Sequence, residues 1–325
     1  MAYEVEANLA LSALATAAQF CEQIRLTQQY TTLEKSDKSP VTVADFGAQA
    51  IICRAIAQSF PNDSIVGEEN ASGLRQPDMA ALLAAIAHPL QAFIPEATPA
   101  LVADWIDRGN GPVSQRFWTL DPIDGTKGFL RNDQYAIALA LIEAGAVQLG
   151  AIACPQLPVD ANHPDRAKGV FFLAIRGQGA QQIAMVGHEV RSIHVNTDPH
   201  SANFRQIESV ESGHGNRPLQ RQIAQAVGLP AETQQMDSLA KYGAIARGEA
   251  ALYLRLPWRE RPTYQENIWD HAAGALLVEE AGGKVTDIDG KPLDFASHVK
   301  LIHNRGIIAS NGVIHAAVLK MCGMA

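Results

Sequence analysis

Apolar residues recur with a helical period near the start of the chain and in strand-like runs further on. Helical spacing over residues 5–30 and 46–57 predicts two long helices. Thr42 is a suitable cap for the second helix and would place Asp45 in its first turn. From residue 135 apolar runs alternate with short turns, which is typical of an antiparallel β-meander. We expect its strands at residues 135–142, 147–154, 170–175 and 190–195.

Shorter apolar segments at residues 64–66 and 117–120 predict two further strands. Residues 71–116 give one helix, at 79–87, and otherwise irregular signals, with Pro89, Pro95 and Pro99 marking loops. A polar stretch around Pro199 then precedes alternating strand and helix patterns, which favour an α/β arrangement. We therefore predict an N-terminal α+β portion, 1–198, and a C-terminal α/β portion, 199–325. The second portion is expected to hold strands at 206–211, 251–256, 284–286 and 307–309, and helices at 218–227, 238–247, 270–281 and 311–321.

A polar cluster follows the strand at 117–120, and we expect it to lie on a loop between two strands. It contains Asp121 and Asp124, three positions apart, with Pro122 between them. At ~4 Å and an effective dielectric of ~20, two such carboxylates repel by ~4 kcal/mol, so the pair calls for a cation or a shared proton. Oxygen ligands favour magnesium. Gly125 and Thr126 can offer backbone N–H groups to an anion, although Asp-Pro and Asp-Gly are also ordinary turn signals.

Three more carboxylates have both a chemical and an ordinary interpretation. Glu68 follows the strand at 64–66 and Gly67, where a Glu-Glu pair is usually a solvated turn. Asp270 opens a helix and is placed as an N-cap. Asp45, in the first turn of its helix, is explained by the helix dipole. Convergence of these groups on the Asp121 loop cannot be derived from spacing.

Composition limits the possible partners. The 325 residues are 47% hydrophobic and carry a net charge of −8, which disfavours nucleic-acid polymers. There is no apolar run of 18 residues and no basic residue among the first 18, so we expect no membrane span, no signal peptide and a cytoplasmic location. The cysteines are widely scattered and are expected to be reduced core thiols; they are Cys21, Cys53, Cys154 and Cys322.

Three separated motifs resemble those of the lithium-sensitive, magnesium-dependent phosphatase superfamily, which includes inositol monophosphatases and fructose 1,6-bisphosphatases. They are residues 67–69 (GEE), 121–126 (DPIDGT) and 269–274 (WDHAAG). The resemblance implies an inositol monophosphatase-like sugar phosphatase fold, an α-β-α-β-α layered sandwich. It also implies metal ligands at Glu68, Asp121, the Ile123 carbonyl, Asp124 and Asp270, holding two to three magnesium ions.

Within that superfamily the chain most resembles the 3'(2'),5'-bisphosphate nucleotidases, through residues 39–42, 127–130, 147–150, 208–214, 236–241, 253–257 and 264–266. The resemblance implies hydrolysis of 3'-phosphoadenosine 5'-phosphate to AMP, and of its 5'-phosphosulfate form, with lithium inhibition and a place in sulfur assimilation. Asp45 and Thr126 match the family's water-activating pair. The substrate-binding residues implied are Gly125, Thr126, His214, Asp237, Ser238, Lys241, Arg255 and Tyr264.

Alternatives remain at this stage. A lone lysine or arginine is usually a surface residue, Tyr264 is also explained as core, and His214 precedes Gly215 where the family often has a small hydroxylic residue. Inositol monophosphatase and inositol polyphosphate 1-phosphatase are the alternative enzymes, and a non-catalytic magnesium or nucleotide sensor is the alternative class. An intact Asp45 and Thr126 pair argues against the sensor. We expect a monomer whose partner is a small bisphosphate nucleotide.

Overall fold

The computed structural model describes residues 2–27, 32–34, 40–211, 216–257 and 264–323. Two long helices, α1 (Glu4–Thr27) and α2 (Val43–Ser59), pack on each other and on one face of the larger sheet. Their buried positions are mostly alanine and isoleucine, which allow close helix contact. Strands β1 (Thr32–Glu34) and β2 (Pro40–Thr42) form a small antiparallel pair before α2. Both predicted helices are confirmed.

The larger sheet has seven strands in chain order, from β3 to β9. The pair β3 and β4 is parallel and all the later pairs are antiparallel, which confirms the predicted meander. The strand at Ala180–Ala184 was not predicted, because the adjacent Gln181 and Gln182 interrupt its apolar pattern. The bounds are β3 Ser64–Gly67, β4 Arg116–Asp124, β5 Ala136–Glu143, β6 Ala146–Pro158, β7 Lys168–Ile175, β8 Ala180–Ala184 and β9 Val190–Ile193.

Residues 71–116 are more helical than predicted. A 3-10 turn at Pro77–Met79 leads into α3 (Ala80–Leu90), and α4 (Pro99–Asp107) follows. The prediction of irregular structure beyond residue 87 was wrong because Pro99 occupies the first turn of a helix, where its missing N–H costs nothing. Thr98 caps that helix by accepting from the Leu101 N–H at 3.3 Å. A short helix, α5 (Thr126–Leu130), follows β4.

The smaller sheet has five strands in the order β11-β10-β12-β14-β13 and is mixed, with β10 parallel to β11 and β12. Between the two sheets lie α7 and α8, while α6 and α9 cover the far face of the smaller sheet. This order gives the expected α-β-α-β-α layers. The bounds are β10 Gln206–Glu208, α6 Arg217–Ala226, β11 Gln234–Gln235, α7 Ala240–Ala246, β12 Leu252–Arg255, α8 Ala272–Glu280, β13 Lys284–Thr286, β14 Ile307–Ser310 and α9 His315–Cys322.

Alternating side chains on the central strands fill the two cores that border the larger sheet. On β5, Ile137 and Leu139 face α1 and α2, whereas Ala138 and Ala140 face α7 and α8. The small alanines let α8 approach, as does Gly150, where a Cβ would lie 2.7 Å from the Ala273 carbonyl oxygen. Burial on both faces explains why this strand reads as a continuous apolar run.

Several predicted boundaries differ from the structure. The helix expected from residue 311 begins at His315, because the Asn311 side chain accepts from the Val313 and Ile314 N–H groups and forms a turn. Strand β9 ends at Ile193 and β10 begins at Gln206, so the predicted division at 198/199 falls between the sheets and stays a prediction. In the described ranges no helix is both long and apolar enough to cross a membrane.

The cysteine prediction is confirmed in the main. All four thiols are unpaired, three are buried, and Cys322 is partly exposed. Burial raises the pKa of the Cys154 thiol to about 12. These thiols are therefore protonated packing groups.

Candidate active site

A cleft of about 430 Å³ opens where the end of β4 meets the starts of α7 and α8. Its wall brings together side chains that are far apart in the sequence, from Glu68 to His271. All the predicted carboxylate ligands line it: Glu68, Asp121, Asp124 and Asp270. The structure thus supplies the convergence that spacing could not.

The Asp121 segment is a strand end and not the expected loop. Strand β4 continues through Asp124, and its pairing with β5 is irregular between Asp121 and Asp124. Pro122 lies in this interval and has no N–H to donate to a ladder. Bulges of this kind re-aim side chains next to active sites, so the irregularity turns both carboxylates toward the cleft. Gly125 then takes a left-handed φ of 85°, which ends the strand.

The four carboxylates repel one another at a place where Asp121 is buried and the other three are partly buried. Asp121 is 1% exposed, and its Oδ1 is buried without a hydrogen-bond partner among the described residues. Burial raises the pKa of Asp121 well above its usual range, and Glu68, Asp124 and Asp270 add to the effect. Burial likewise raises the pKa of Asp270, with further contributions from Asp124 and Glu68. A cluster of this kind is stabilised by protons or by cations.

Asp270 is not the N-cap that we expected. Helix α8 begins at Ala272 with His271 in the capping position, and no side chain caps it. The Asp270 carboxylate instead lies in the cleft, where Asn267 Nδ2 donates to its Oδ2 at 3.4 Å. The predicted N-cap was wrong because a turn at residues 269–271 precedes the helix.

Two cationic side chains on the cleft wall, Lys241 and Arg255, offset part of the negative charge of the carboxylates. Lys241 is 5% exposed; its Nζ donates to the Ser238 carbonyl at 2.7 Å and lies 5.3 Å from the ring centre of Tyr253. Burial lowers the pKa of Lys241 to about 8 although Asp124 opposes the shift. Burial also raises the pKa of Asp124 to about 6, against the effect of Lys241.

Arg255 is held by a carboxylate that sequence reasoning left without a role. Its Nε and Nη2 donate to Glu266 Oε1 and Oε2 at 3.0 and 2.7 Å, and the arginine side chain is 15% exposed. Burial alone would raise the pKa of Glu266, but Arg255 and His271 hold it well below its usual range. His271 in turn contacts Tyr242, with Nδ1 2.8 Å from the hydroxyl. Only the position of Glu266 within the 264–266 match could have pointed to it.

The predicted pair Asp45 and Thr126 is in contact. Thr126 Oγ1 lies 3.3 Å from Asp45 Oδ1 and 3.1 Å from the Ile123 carbonyl oxygen, so its one proton is shared between these two acceptors. Thr42 Oγ1 accepts from the Ala44 N–H at 3.1 Å, which confirms the predicted cap. Asp45 Oδ2 in turn accepts from the Thr42 backbone N–H and hydroxyl, each at 2.7 Å. Thr126 lines the cleft while Asp45 lies buried behind it. Asp45 is therefore both a helix cap partner and the neighbour of a cleft hydroxyl.

Most of the residues implied for the substrate share the same cleft. The surface interpretation of Lys241 and Arg255 is wrong, since both are largely buried, and Tyr264 is not core, since it is 46% exposed. His214 lies outside the described residues. The predicted residues on the cleft wall are Gly125, Thr126, Asp237, Ser238, Lys241, Arg255 and Tyr264. Lys127, Ser209, Glu211 and Asn267 also line it and were not predicted as site residues.

Ser238 has a left-handed backbone conformation, with φ of 64°. Its Oγ accepts from the Ala240 N–H at 3.3 Å, at the start of α7. Gly125 leaves room for it, because a Cβ there would lie 3.1 Å from the Ser238 Cβ. The preceding Asp237 pairs with Arg131 and also lines the cleft.

Oxygen donors dominate the acidic side of the cleft and fit magnesium. The orphaned Asp121 Oδ1 and the mutual repulsion of the carboxylates are what a bound cation would relieve. Glu266, Asp270 and His271 also offer ligand atoms within 4.8 Å of one another. Glu266 is already bonded to Arg255 and His271 to Tyr242, so we regard Asp270 as the available donor of that group.

Comparison with known proteins agrees with this architecture. The model of the inositol monophosphatase family matches residues 2–322. A 3'(2'),5'-bisphosphate nucleotidase of Schizosaccharomyces pombe is 40% identical over 340 residues, covering 98% of this chain and 95% of that protein. One from Oryza sativa is 39% identical over 339 residues, covering 98% and 93%.

The solved inositol monophosphatase from Anabaena (Nostoc) superposes with a TM-score of 0.64 at 20% identity, covering 100% of this chain and 98% of that one. Its likeness concerns the fold, and the layered sandwich expected from the three motifs is confirmed. The chain therefore belongs to the inositol monophosphatase family.

Proposed function

We propose that this protein hydrolyses the 3'-phosphate of adenosine 3',5'-bisphosphate to give AMP and inorganic phosphate. The observation that carries the proposal is a single cleft whose wall holds four carboxylates together with Lys241 and Arg255. A bisphosphate nucleotide has two anionic groups on one ribose, so it needs one region for metal-assisted chemistry and another with fixed cations. The relatives named 3'(2'),5'-bisphosphate nucleotidases support the same substrate.

Magnesium would be held on the acidic side of the cleft, with two to three ions shared among the donors Glu68, Asp121, the Ile123 carbonyl, Asp124 and Asp270. When bound, magnesium polarises the phosphoryl oxygens and stabilises the leaving alkoxide. Lithium would inhibit by taking one of these positions. The Ile123 carbonyl oxygen has two lone pairs, so its contact with Thr126 Oγ1 leaves one that could serve a metal.

The attacking water is oriented by Thr126 in this proposal. Because the Thr126 hydroxyl directs its proton toward Asp45 and the Ile123 carbonyl, its own lone pairs are left to accept from water. The water proton passes toward Asp45 as the water oxygen bonds to phosphorus, and the bond from phosphorus to the ribose 3' oxygen breaks on the opposite side. The backbone N–H groups of Gly125 and Thr126 are proposed to hold the transferred phosphoryl group.

The 5'-phosphate is assigned to Lys241 and Arg255, which remain charged at neutral pH within a largely buried wall. Ser238 and Asp237 supply hydrogen-bonding groups beside them, and Tyr264 offers a partly exposed ring for the base. His214 is kept as a contact by resemblance alone. We infer that the 5'-phosphosulfate form is also accepted; the monomeric state and the cytoplasmic location stay predictions.

A substrate panel tests the proposal. Phosphate release would be measured with magnesium, with and without lithium, on adenosine 3',5'-bisphosphate, its 5'-phosphosulfate form, 3'-AMP and inositol 1-phosphate. We expect the bisphosphate to be hydrolysed fastest and lithium to inhibit. Release from inositol 1-phosphate but not from the bisphosphate would refute it.

One variant, assayed on substrates with and without a 5'-phosphate, tests which residue binds the 5'-phosphate. Lys241→Met should raise KM for adenosine 3',5'-bisphosphate by about tenfold or more, the loss expected for one charged hydrogen bond. The same variant should leave KM for 3'-AMP, which has no 5'-phosphate, nearly unchanged. An equal loss on both substrates would show that Lys241 does not contact the 5'-phosphate.

A further inference from the structure

Gln49 is a buried amide in the apolar body of α2, one helical turn after Asp45. Its exposed fraction is 0%, and it is flanked on the helix by Ala48 and Ala50, with Phe46 and Ile52 one turn away. A polar side chain in such a setting is costly unless all its hydrogen bonds are made. The contacts of this amide therefore show what it stabilises.

The Gln49 amide pairs with the backbone of the residue that follows Glu68. Its Oε1 accepts from the Glu69 N–H at 3.0 Å, and its Nε2 donates to the Glu69 carbonyl and, at 3.0 Å, to the Ile106 carbonyl near the end of α4. The Glu69 N–H belongs to the peptide bond that joins Glu68 to Glu69. Gln49 thus fixes that peptide from the helix side.

Two glycines give this amide its space. A Cβ at Gly67 would lie 2.8 Å from Gln49 Oε1, and one at Gly109 would lie 2.5 Å from Gln49 Nε2. Neither glycine has a positive φ, so backbone conformation does not explain them, whereas close approach of the amide does. The same turn is closed by the Gly67 N–H, which donates to the Gly109 carbonyl at 2.7 Å.

On the other side, Glu68 is hydrogen-bonded to β4, the strand that carries Asp121 and Asp124. Its N–H donates to the carbonyl of Leu120, the residue before Asp121, at 3.2 Å. Gln49 and Leu120 therefore hold the Glu68 backbone between α2 and β4. One turn earlier in α2, Asp45 contacts Thr126, which begins α5 just after that strand.

We propose, on the basis of the proposed function, that Gln49 is a positioning residue. It fixes the position of the Glu68 backbone relative to Asp45, Asp121 and Asp124. Removing the amide would free the Glu68–Glu69 peptide to shift while the carboxylates themselves remain. Groups that orient metal ligands typically change metal affinity by about 10- to 100-fold when removed. Metal binding, and not only activity, should therefore report the loss.

The test compares Gln49→Met, which keeps length but removes the amide, with Ile52→Ala, which opens a cavity in the same helix and touches none of these contacts. Binding of Mn²⁺ would be measured by the electron paramagnetic resonance signal of the free ion, beside thermal unfolding. We expect Gln49→Met to bind Mn²⁺ about 10- to 100-fold more weakly and Ile52→Ala to match wild type. Gly109→Ala places a Cβ against Gln49 Nε2 but keeps the amide, and it should also weaken Mn²⁺ binding. If Gln49→Met does not fold, the Mn²⁺ affinity of Gly109→Ala is the deciding measurement.

Wild-type Mn²⁺ affinity in folded Gln49→Met, or in Gly109→Ala where Gln49→Met does not fold, would overturn the proposal. An equal weakening in Ile52→Ala would also overturn it, because general destabilisation would then be the cause. The proposed function fails separately: if wild type binds Mn²⁺ and Gln49→Met does not, yet neither hydrolyses adenosine 3',5'-bisphosphate, then the role of Gln49 stands and the substrate assignment is wrong.

Discussion

Replacing Asp124 by asparagine should stabilise the metal-free protein at neutral pH. The Asp124 side chain is partly buried and lines the same cleft as Glu68, and burial raises its pKa from 3.8 to about 6. A group with a raised folded-state pKa contributes stability below its unfolded pKa and loses that contribution as pH rises through the folded one. The contribution of Asp124 is thus present near pH 4 and absent above about pH 6.

The size of the effect follows from the shift. About 2 pKa units at 1.36 kcal/mol each give about 3 kcal/mol of unfolding free energy that wild type loses between about pH 4 and pH 7 through this group. Asparagine keeps an oxygen that can accept from the Leu239 N–H, which favours the ionised carboxylate in wild type, but it has no charge to bury. Metal-free Asp124→Asn should therefore gain about 3 kcal/mol on wild type over that pH interval.

Urea unfolding of metal-free wild type and Asp124→Asn, at several pH values, measures this difference directly. Adding magnesium at neutral pH should then reverse the order, since a cation would replace the proton in relieving wild type and the variant lacks one of the proposed ligands. If the stability difference between the two proteins does not change with pH, the carboxylate is not strained and the reasoning is refuted. Lys241→Met offers a control, because removing that cation should enlarge the pH effect.

Three further outcomes are expected. Asp45→Asn should lower kcat by about 10² to 10⁴ while Mn²⁺ binding stays close to wild type; a loss of binding instead would make Asp45 a ligand. Glu266→Gln should cost about 3 kcal/mol in urea unfolding, because Arg255 keeps its charge in a largely buried place, and adding Arg255→Met should recover part of that cost; an additive loss would speak against the pair. Asp121→Asn should abolish magnesium-dependent phosphate release, and near-wild-type hydrolysis would contradict its proposed role as a metal ligand.

The spacing of apolar residues was sufficient to predict those helices and strands that bury one face or both faces. The helices α1 and α2 and the meander from Ala136 followed from their apolar patterns, and the cap at Thr42 followed from local hydrogen bonding. The helix at Pro99–Asp107 was missed because proline was interpreted only as a breaker. The extension of β4 to Asp124 was missed because polar residues at a strand end resemble a loop.

The candidate site was predictable only in part, because its residues are far apart in the sequence and are brought together by the fold. Glu68, Asp121 and Asp270 stand in separate motifs, and a family resemblance was needed to join them. Contacts made by packing, such as Gln49 with Glu69 or Arg255 with Glu266, leave no local pattern. Each partner there is chosen by the fold and not by its neighbours in the chain.

The left-handed backbone of Ser238 sets stability against ligand contact at one position. A left-handed conformation costs a residue with a Cβ about 1–2 kcal/mol, and glycine avoids that cost. Selection for heat tolerance alone would therefore drive this position toward glycine, at the loss of the hydroxyl that lines the cleft. If serine persists when heat tolerance and turnover are selected together, the hydroxyl contributes more to activity than glycine would contribute to stability.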